Sequence, residues 1–321
     1  MFTSLMCNIL HYKQNGCNNS AVYCTLDYVM PLIHVLKERS PPEIVLVFIT
    51  MIWGGTFLAV HYVLNYTTPI FFVGCRFLVA ALVLLTFTFK YLKKLSKNDV
   101  IAGTLIGVVL ALSYGLQTIG LKTIKSSESA FLTALYIPLV PILIWIFYRK
   151  LPNIFIWIGI FFSFIGLILL TGNDFREVNF NLGQIFTLLS ALGIALEIIL
   201  ISKFASRVDL KNVTIIQLVV ASIFCFFIMP FAGETEIPNI SWQLVVVTLS
   251  LGFASTLIQF AMNWAQRTVD PSRAAIIYSG EPVWAAIFGR LAGERLPFLA
   301  LIGGLCVILG ILISEIKTKN K

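Results

Sequence analysis

The chain has 321 residues, 58% of them hydrophobic and only 12% charged, against about 25% charged in an ordinary soluble domain. A water-soluble fold of this length cannot hide so much apolar surface, which excludes a soluble enzyme, a nucleic-acid module and a disordered tail; a polytopic helical membrane protein remains. The formal net charge of +8 comes from basic residues in short breaks between apolar runs, where they meet anionic lipid and set orientation.

Residues 1–41 are polar, with Cys7, Cys17 and Cys24, and lack the apolar core of a secretory signal. They read as a cytoplasmic N-terminal tail, and Met30, just ahead of "PLIHVLKERSPPE", is an alternative start. With Cys75, Cys225 and Cys306 the cysteines form neither a disulfide framework nor a metal pattern. No cofactor and no metal are expected.

From residue 42 onward ten apolar runs follow one another: 42–62, 69–89, 99–121, 128–148, 153–172, 181–202, 212–231, 241–265, 273–290 and 296–315. At 1.5 Å per residue such runs cross ~30 Å of hydrocarbon as helices, the state in which a backbone satisfies its own hydrogen bonds there. The short alternating segments of a membrane β-barrel are absent. The expected fold is an all-α integral membrane protein with ten transmembrane helices.

Basic residues fix the orientation. With the tail inside, the inner segments hold Lys37, Arg39, Lys90, Lys93, Lys94, Lys97, Arg149, Lys150, Lys203, Arg207, Lys211, Arg267, Arg273, Lys317, Lys319 and Lys321. The outer segments hold only Lys122, Lys125, Arg176, Arg290 and Arg295. Both termini are predicted on the cytoplasmic side.

An internal repeat is visible. "GLKTI" closes the third run and "AQRTV" the eighth. Aligning them pairs Lys122 with Arg267, Thr123 with Thr268 and Gly107 with Gly252, each 145 residues apart. At an offset of 144, Ala130 pairs with Ala274, Pro138 with Pro282, Gly159 with Gly303 and Gly166 with Gly310. The predicted organisation is a first repeat over 42–172, an outer linker at 173–179, a second repeat over 180–315 and a basic cytoplasmic tail at 316–321. Five helices is an odd number, so the second repeat enters the membrane from the opposite side. Inverted repeats recur in secondary transporters, because two similar halves can exchange conformations around one central site.

The motifs "WGGTF" at 53–57, "CRFLVAAL" at 75–82, "SAFLTALYIPLVPIL" at 129–143 and "DPSRAAIIYSGEPVWAAIFGRLAGERL" at 270–296 resemble the EamA family of the drug/metabolite transporter superfamily, across both repeats. The resemblance implies ten helices in two inverted repeats. It also implies transport of small metabolites, often efflux of amino acids or related compounds, across a bacterial inner membrane. Arg290 departs from the apolar residue many members carry there.

Ionisable groups inside spans are costly and mark candidate sites: Arg76, Glu197 and Glu281. Each has a structural alternative: a helix–helix contact for Arg76, pairing with Lys203 for Glu197, and capping of backbone freed by Pro282 for Glu281. In the eighth run Ser255, Gln259, Asn263 and Gln266 fall on one helical face; Tyr114, Gln117 and Thr118 form a shorter stripe in the third. Helix–helix adhesion is the plainer reading of such stripes. Trp53, Tyr136, Tyr278 and Trp284 are candidate aromatic lining, an arrangement suited to amphipathic solutes. Gly54, Gly55, Pro138, Pro141 and Pro282 are candidate hinges.

The expected function is a secondary transporter working by alternating access, with small-molecule substrate and membrane lipid as partners and nucleic acid excluded. No phosphate-binding loop is present, so the chain does not itself hydrolyse ATP; proton coupling would fall to Glu281 or Glu197. Two alternatives are an integral-membrane enzyme acting on lipid-linked substrates, which would need a surface cluster of catalytic residues, and a membrane scaffold, for which internal inversion has no purpose.

Overall fold

The structure, a computed structural model, describes residues 42–91, 94–124, 126–149, 151–171, 181–291 and 298–314. The N-terminal tail with Met30, the 173–179 linker and the basic C-terminal tail lie outside the described residues. Among the described residues secondary structure is helical throughout: α1 Pro42–Val63, α2 Pro69–Thr88, α3 Lys97–Leu121, α4 Ser126–Thr133, α5 Tyr136–Tyr148, α6 Ile154–Thr171, α7 Leu182–Phe204, α8 Leu210–Ile228, α9 Trp242–Ala265, α10 Pro271–Tyr278, α11 Glu281–Leu291 and α12 Phe298–Ser314. Six of them (α1, α2, α3, α7, α8 and α9) are long and apolar enough to cross a membrane.

Short polar residues start these helices. Ser96 accepts from the Asp99 N–H while the Asp99 carboxylate accepts from the Ser96 N–H, and Asn181 and Gln184 form the same box. Asp209, Ser241 and Asp270 cap α8, α9 and α10. Two further caps reach across the fold. Both oxygens of Glu234, in the loop after α8, accept from the N–H groups of Ile70 and Phe71 at the start of α2, each at 2.9 Å. Asp99, at the start of α3, accepts from the Asp209 N–H at 2.9 Å and from Asn212 Nδ2 at 3.1 Å, at the start of α8.

The fourth and ninth apolar runs, expected as single helices, are each broken: α4 from α5 at Ala134–Leu135, and α10 from α11 at Ser279–Gly280. Proline explains both. Pro138 and Pro282 cannot donate to the carbonyls of Ala134 and Tyr278 four residues back, and their rings crowd those carbonyls. The chain tightens there, with Ile137 N–H donating to Ala134 O and Gly280 N–H to Ile277 O. Pro138 and Pro282 thus open the second half-helices, where a missing donor is tolerated, while Pro141 lies inside α5. The expected interruption at Gly54–Gly55 does not occur, since α1 is helical throughout. Gly54 serves close approach instead: a Cβ there would meet Glu281 O at 2.7 Å, Ala285 N at 2.8 Å and Trp284 Cβ at 2.9 Å.

The helices pack in matched pairs. α3 lies against α7 and α8, and α9 against α1 and α2. α4 and α5 pack on α7 as α10 and α11 pack on α1, and α6 runs along α12. Glycines identical between the two halves make these contacts. Gly107 of α3 presses on the Gln217 backbone of α8, and Gly252 of α9 on Val79 of α2. Between α6 and α12, Gly159 meets the Gly310 carbonyl and Gly166 the Gly303 carbonyl, so the two helices cross antiparallel, backbone to backbone.

Candidate functional site

Polar side chains converge where α2, α3, α7, α8, α9 and the break between α10 and α11 meet. Arg76 of α2 is 3% exposed. Its Nε donates to Ser255 Oγ of α9 at 2.6 Å, and its guanidinium lies over the Tyr114 ring of α3, 5.2 Å from the centroid. Ser255 in turn donates to the Leu251 carbonyl at 2.8 Å. Arg76 Nη2 is buried with no hydrogen-bond partner in the protein. Glu281, at the first turn of α11, is 4% exposed and close enough for its charge and that of Arg76 to act on each other.

An amide ladder runs beside this group. Gln217 Nε2 of α8 donates to Gln259 Oε1 at 2.8 Å, Gln259 Nε2 donates to Glu197 Oε1 of α7 at 3.1 Å, and Asn263 Nδ2 donates to Gln217 Oε1 at 3.0 Å. Glu197 is fully buried and its second oxygen has no partner in the protein. Its contact is Gln259, not Lys203, which lies over the Phe204 ring. One turn further along α9, Gln266 Nε2 donates to the Tyr278 hydroxyl of α10 at 2.9 Å and accepts from Ser202 of α7.

Aromatic rings wall the centre. Trp53 of α1 stacks on Tyr114 with ring centroids 6.4 Å apart and planes at 12°, and meets Tyr278 edge-on at 5.8 Å. A cavity of only about 10 Å³ lies between α1, α2 and α3, bounded by Trp53, Thr56, Phe57, Arg76, Tyr114 and Gln117, so the centre is closed in this structure. A larger crevice of about 340 Å³ lies between α3, α5 and α7, near Phe147, Tyr148 and Lys203. Its lining carries no polar network, so the centre is the better candidate.

The structure therefore brings together Arg76, Tyr114, Gln259, Asn263, Tyr278 and Glu281. Gln117 lies at the margin and donates to Thr133 of α4 at 3.1 Å. Tyr136, at the start of α5, is 1% exposed with its hydroxyl unpartnered in the protein. Trp284 is only half-buried, and its Cβ faces Gly54. Gln217 was not singled out from the sequence, although it holds the ladder together; a lone amide in an otherwise apolar run was the available signal.

This arrangement offers hydrogen-bonding and charged groups to a small solute within an apolar bundle. The described residues hold no group of three or more His, Cys, Asp or Glu able to bind a metal.

A family model for EamA-like transporters matches residues 41–172 and again 181–315. An uncharacterized transporter of Archaeoglobus fulgidus is 30% identical over 285 residues, 87% of each chain. The uncharacterized transporter YoaV of Bacillus subtilis is 23% identical, over 84% of this chain and 94% of its own. The uncharacterized inner membrane transporter YedA of Escherichia coli K12 is 28% identical, over 77% of this chain and 81% of its own. A solved crystal structure shares the fold with a TM-score of 0.70 at 13% identity, over 85% of this chain and 97% of that one. The chain is a multi-pass membrane protein and, with both halves matched, it belongs to the EamA-like transporter family, a family of transporters rather than enzymes.

Proposed function

We propose that the protein is a secondary transporter that exports small amphipathic metabolites, amino acids or related compounds, by alternating access across the bacterial inner membrane. Ten membrane crossings form two inverted five-helix repeats, 42–172 and 180–315, with both termini cytoplasmic. The observation that carries the reading is the polar centre, to which both halves contribute beside two helices broken at corresponding places. Paired half-helices of this kind border the substrate sites of inverted-repeat carriers. The matched packing pairs and the crosswise glycine contacts support the inversion, and the basic residues on one set of loops support the orientation.

In this scheme the polar centre receives the solute from one side, and the halves rock about it to open the other. Tyr114, Gln117, Gln259, Asn263, Tyr278 and Trp284 contact the solute, and the breaks at Pro138 and Pro282 allow the motion. Glu281, with Glu197 behind it, takes up a proton on one side and releases it on the other.

The test is flux of labelled amino acids and amphipathic compounds into proteoliposomes of the purified protein. Saturable uptake abolished by Gln259→Leu supports the central site, and uptake indifferent to that change removes it. Orientation is checked by thiol labelling of intact cells. A cysteine at Asp174 should react from outside and one at Lys94 should not, and the reverse pattern overturns the topology.

A further inference from the structure

We infer that the transported solute carries an anionic group, a carboxylate, and that Arg76 selects it; this rests on the central-site reading above. Arg76 is a buried cation whose hydrogen bond to Ser255 and ring contact with Tyr114 are both to neutral groups. Nε is held by Ser255, whose own hydroxyl proton is committed to the Leu251 carbonyl, so Ser255 acts as an acceptor and brings no charge. Below the guanidinium lies the face of Tyr114. Nη2 is buried and without a protein acceptor, and Arg76 is among the residues lining the small cavity. Glu281 feels the charge but makes no ion pair with Arg76. A buried guanidinium is costly unless it is both paired and hydrogen-bonded.

Nε–H is already committed to Ser255, so the buried Nη2 is the donor left for an anionic acceptor. A guanidinium N–H to a carboxylate oxygen is a charge-assisted hydrogen bond, about twice as strong as a neutral one. Trp53, itself stacked on Tyr114, and Phe57 line the same cavity, an apolar setting in which a charge-assisted hydrogen bond is strengthened. Arg76 is thus a specificity residue and Ser255 its positioning residue.

The competing explanation is that Arg76 serves only to neutralise Glu281. The two are separated with three probes alike in ring and length: 3-phenylpropionate, 3-phenylpropan-1-ol and 3-phenylpropylamine. Binding to the purified protein is followed by tryptophan fluorescence, and uptake is measured in proteoliposomes. The wild type should prefer the carboxylate. Arg76→Gln should lower the carboxylate-to-alcohol affinity ratio roughly 10–100-fold, the range for hydrogen bonds to charged groups, and Arg76→Lys by less. Ser255→Ala, which releases Nε but retains the charge, should lower the ratio severalfold and serves if Arg76→Gln does not fold. Adding Glu281→Gln to Arg76→Gln should not restore the ratio.

Preference for the amine or the alcohol, no binding of the carboxylate, or restoration of the ratio in the double variant overturns the inference. Uptake of the amine or alcohol but not the carboxylate removes the anion and leaves the carrier. Carboxylate binding that depends on Arg76, without uptake of any probe, removes the carrier and leaves the anion site.

Discussion

The two broken helices share a backbone and differ in chemistry. In α4–α5 the residue before the proline is Ile137, and in α10–α11 the matching residue is Glu281. The reverse holds one helix pair away, where Arg76 in α2 corresponds to Ala221 in α8. The first half thus supplies the arginine, and the second supplies both carboxyl groups, Glu197 and Glu281. The two segments matched by the family model share what packing requires, the prolines and the facing glycines. The side chains that give the proposed centre its charge differ between them.

That contrast can be broken most severely at Glu281. Glu281→Gln keeps the shape and hydrogen-bonding capacity of the side chain while removing its titration. Uptake driven by a pH gradient should be largely lost, while exchange without a gradient should persist. Full gradient-driven uptake by the variant would make Glu281 a structural residue. The matching change in the other half, Ile137→Val, should leave both assays nearly unchanged.

The next effect is steric. Gly54→Ala places a methyl group against the backbone of α11 and should cost about 1–3 kcal/mol, the range for overpacking, read as a lower Tm in detergent. Gly55→Ala, whose nearest neighbour is the Phe288 ring at 3.5 Å, should leave Tm nearly unchanged. Equal losses at both positions would mean that α1 does not press on the break.

Gln217→Leu removes two ladder bonds and leaves Asn263 and Gln259 each short of a partner. The expected loss is about 1–3 kcal/mol, again by Tm. The smallest effect belongs to the caps. Glu234→Gln retains one acceptor but no charge at the start of α2, and should cost about 0.5–1 kcal/mol, with Asp99→Asn similar at α8. A loss at one cap alone would show that the two ends are not equivalent.

Helix limits were legible to within a few residues, because long apolar runs mark where a backbone enters and leaves hydrocarbon. The breaks were legible in place, at the candidate hinges Pro138 and Pro282, but not in kind: whether a membrane proline bends or interrupts a helix depends on what neighbouring helices supply to the freed carbonyl. At the site, Arg76, Glu197 and Glu281 stood out by their insertion cost, and the stripe of Ser255, Gln259, Asn263 and Gln266 by its spacing. Gln217 had neither signal, since its partners come from α9, more than forty residues away. Glu197 near Lys203 suggested a local pair; burial against α9 made Gln259 its partner instead.

The joints between the halves also differ in what replaces them when they part. Glu234 on α2 and Asp99 on α8 are bonds at helix ends, made to N–H groups that water can satisfy once the carboxylate leaves. The net loss is about 0.5–1.5 kcal/mol per bond. The crossing of α6 and α12 offers no such exchange: Gly159 and Gly166 touch the opposing backbone directly, and separating them leaves a gap that only bulkier lipid chains could fill. The molecule therefore has wet seams at its rims and a dry seam along one flank. For the alternating access proposed above, movement that parts the rims while keeping the flank closed is the one that hydration favours.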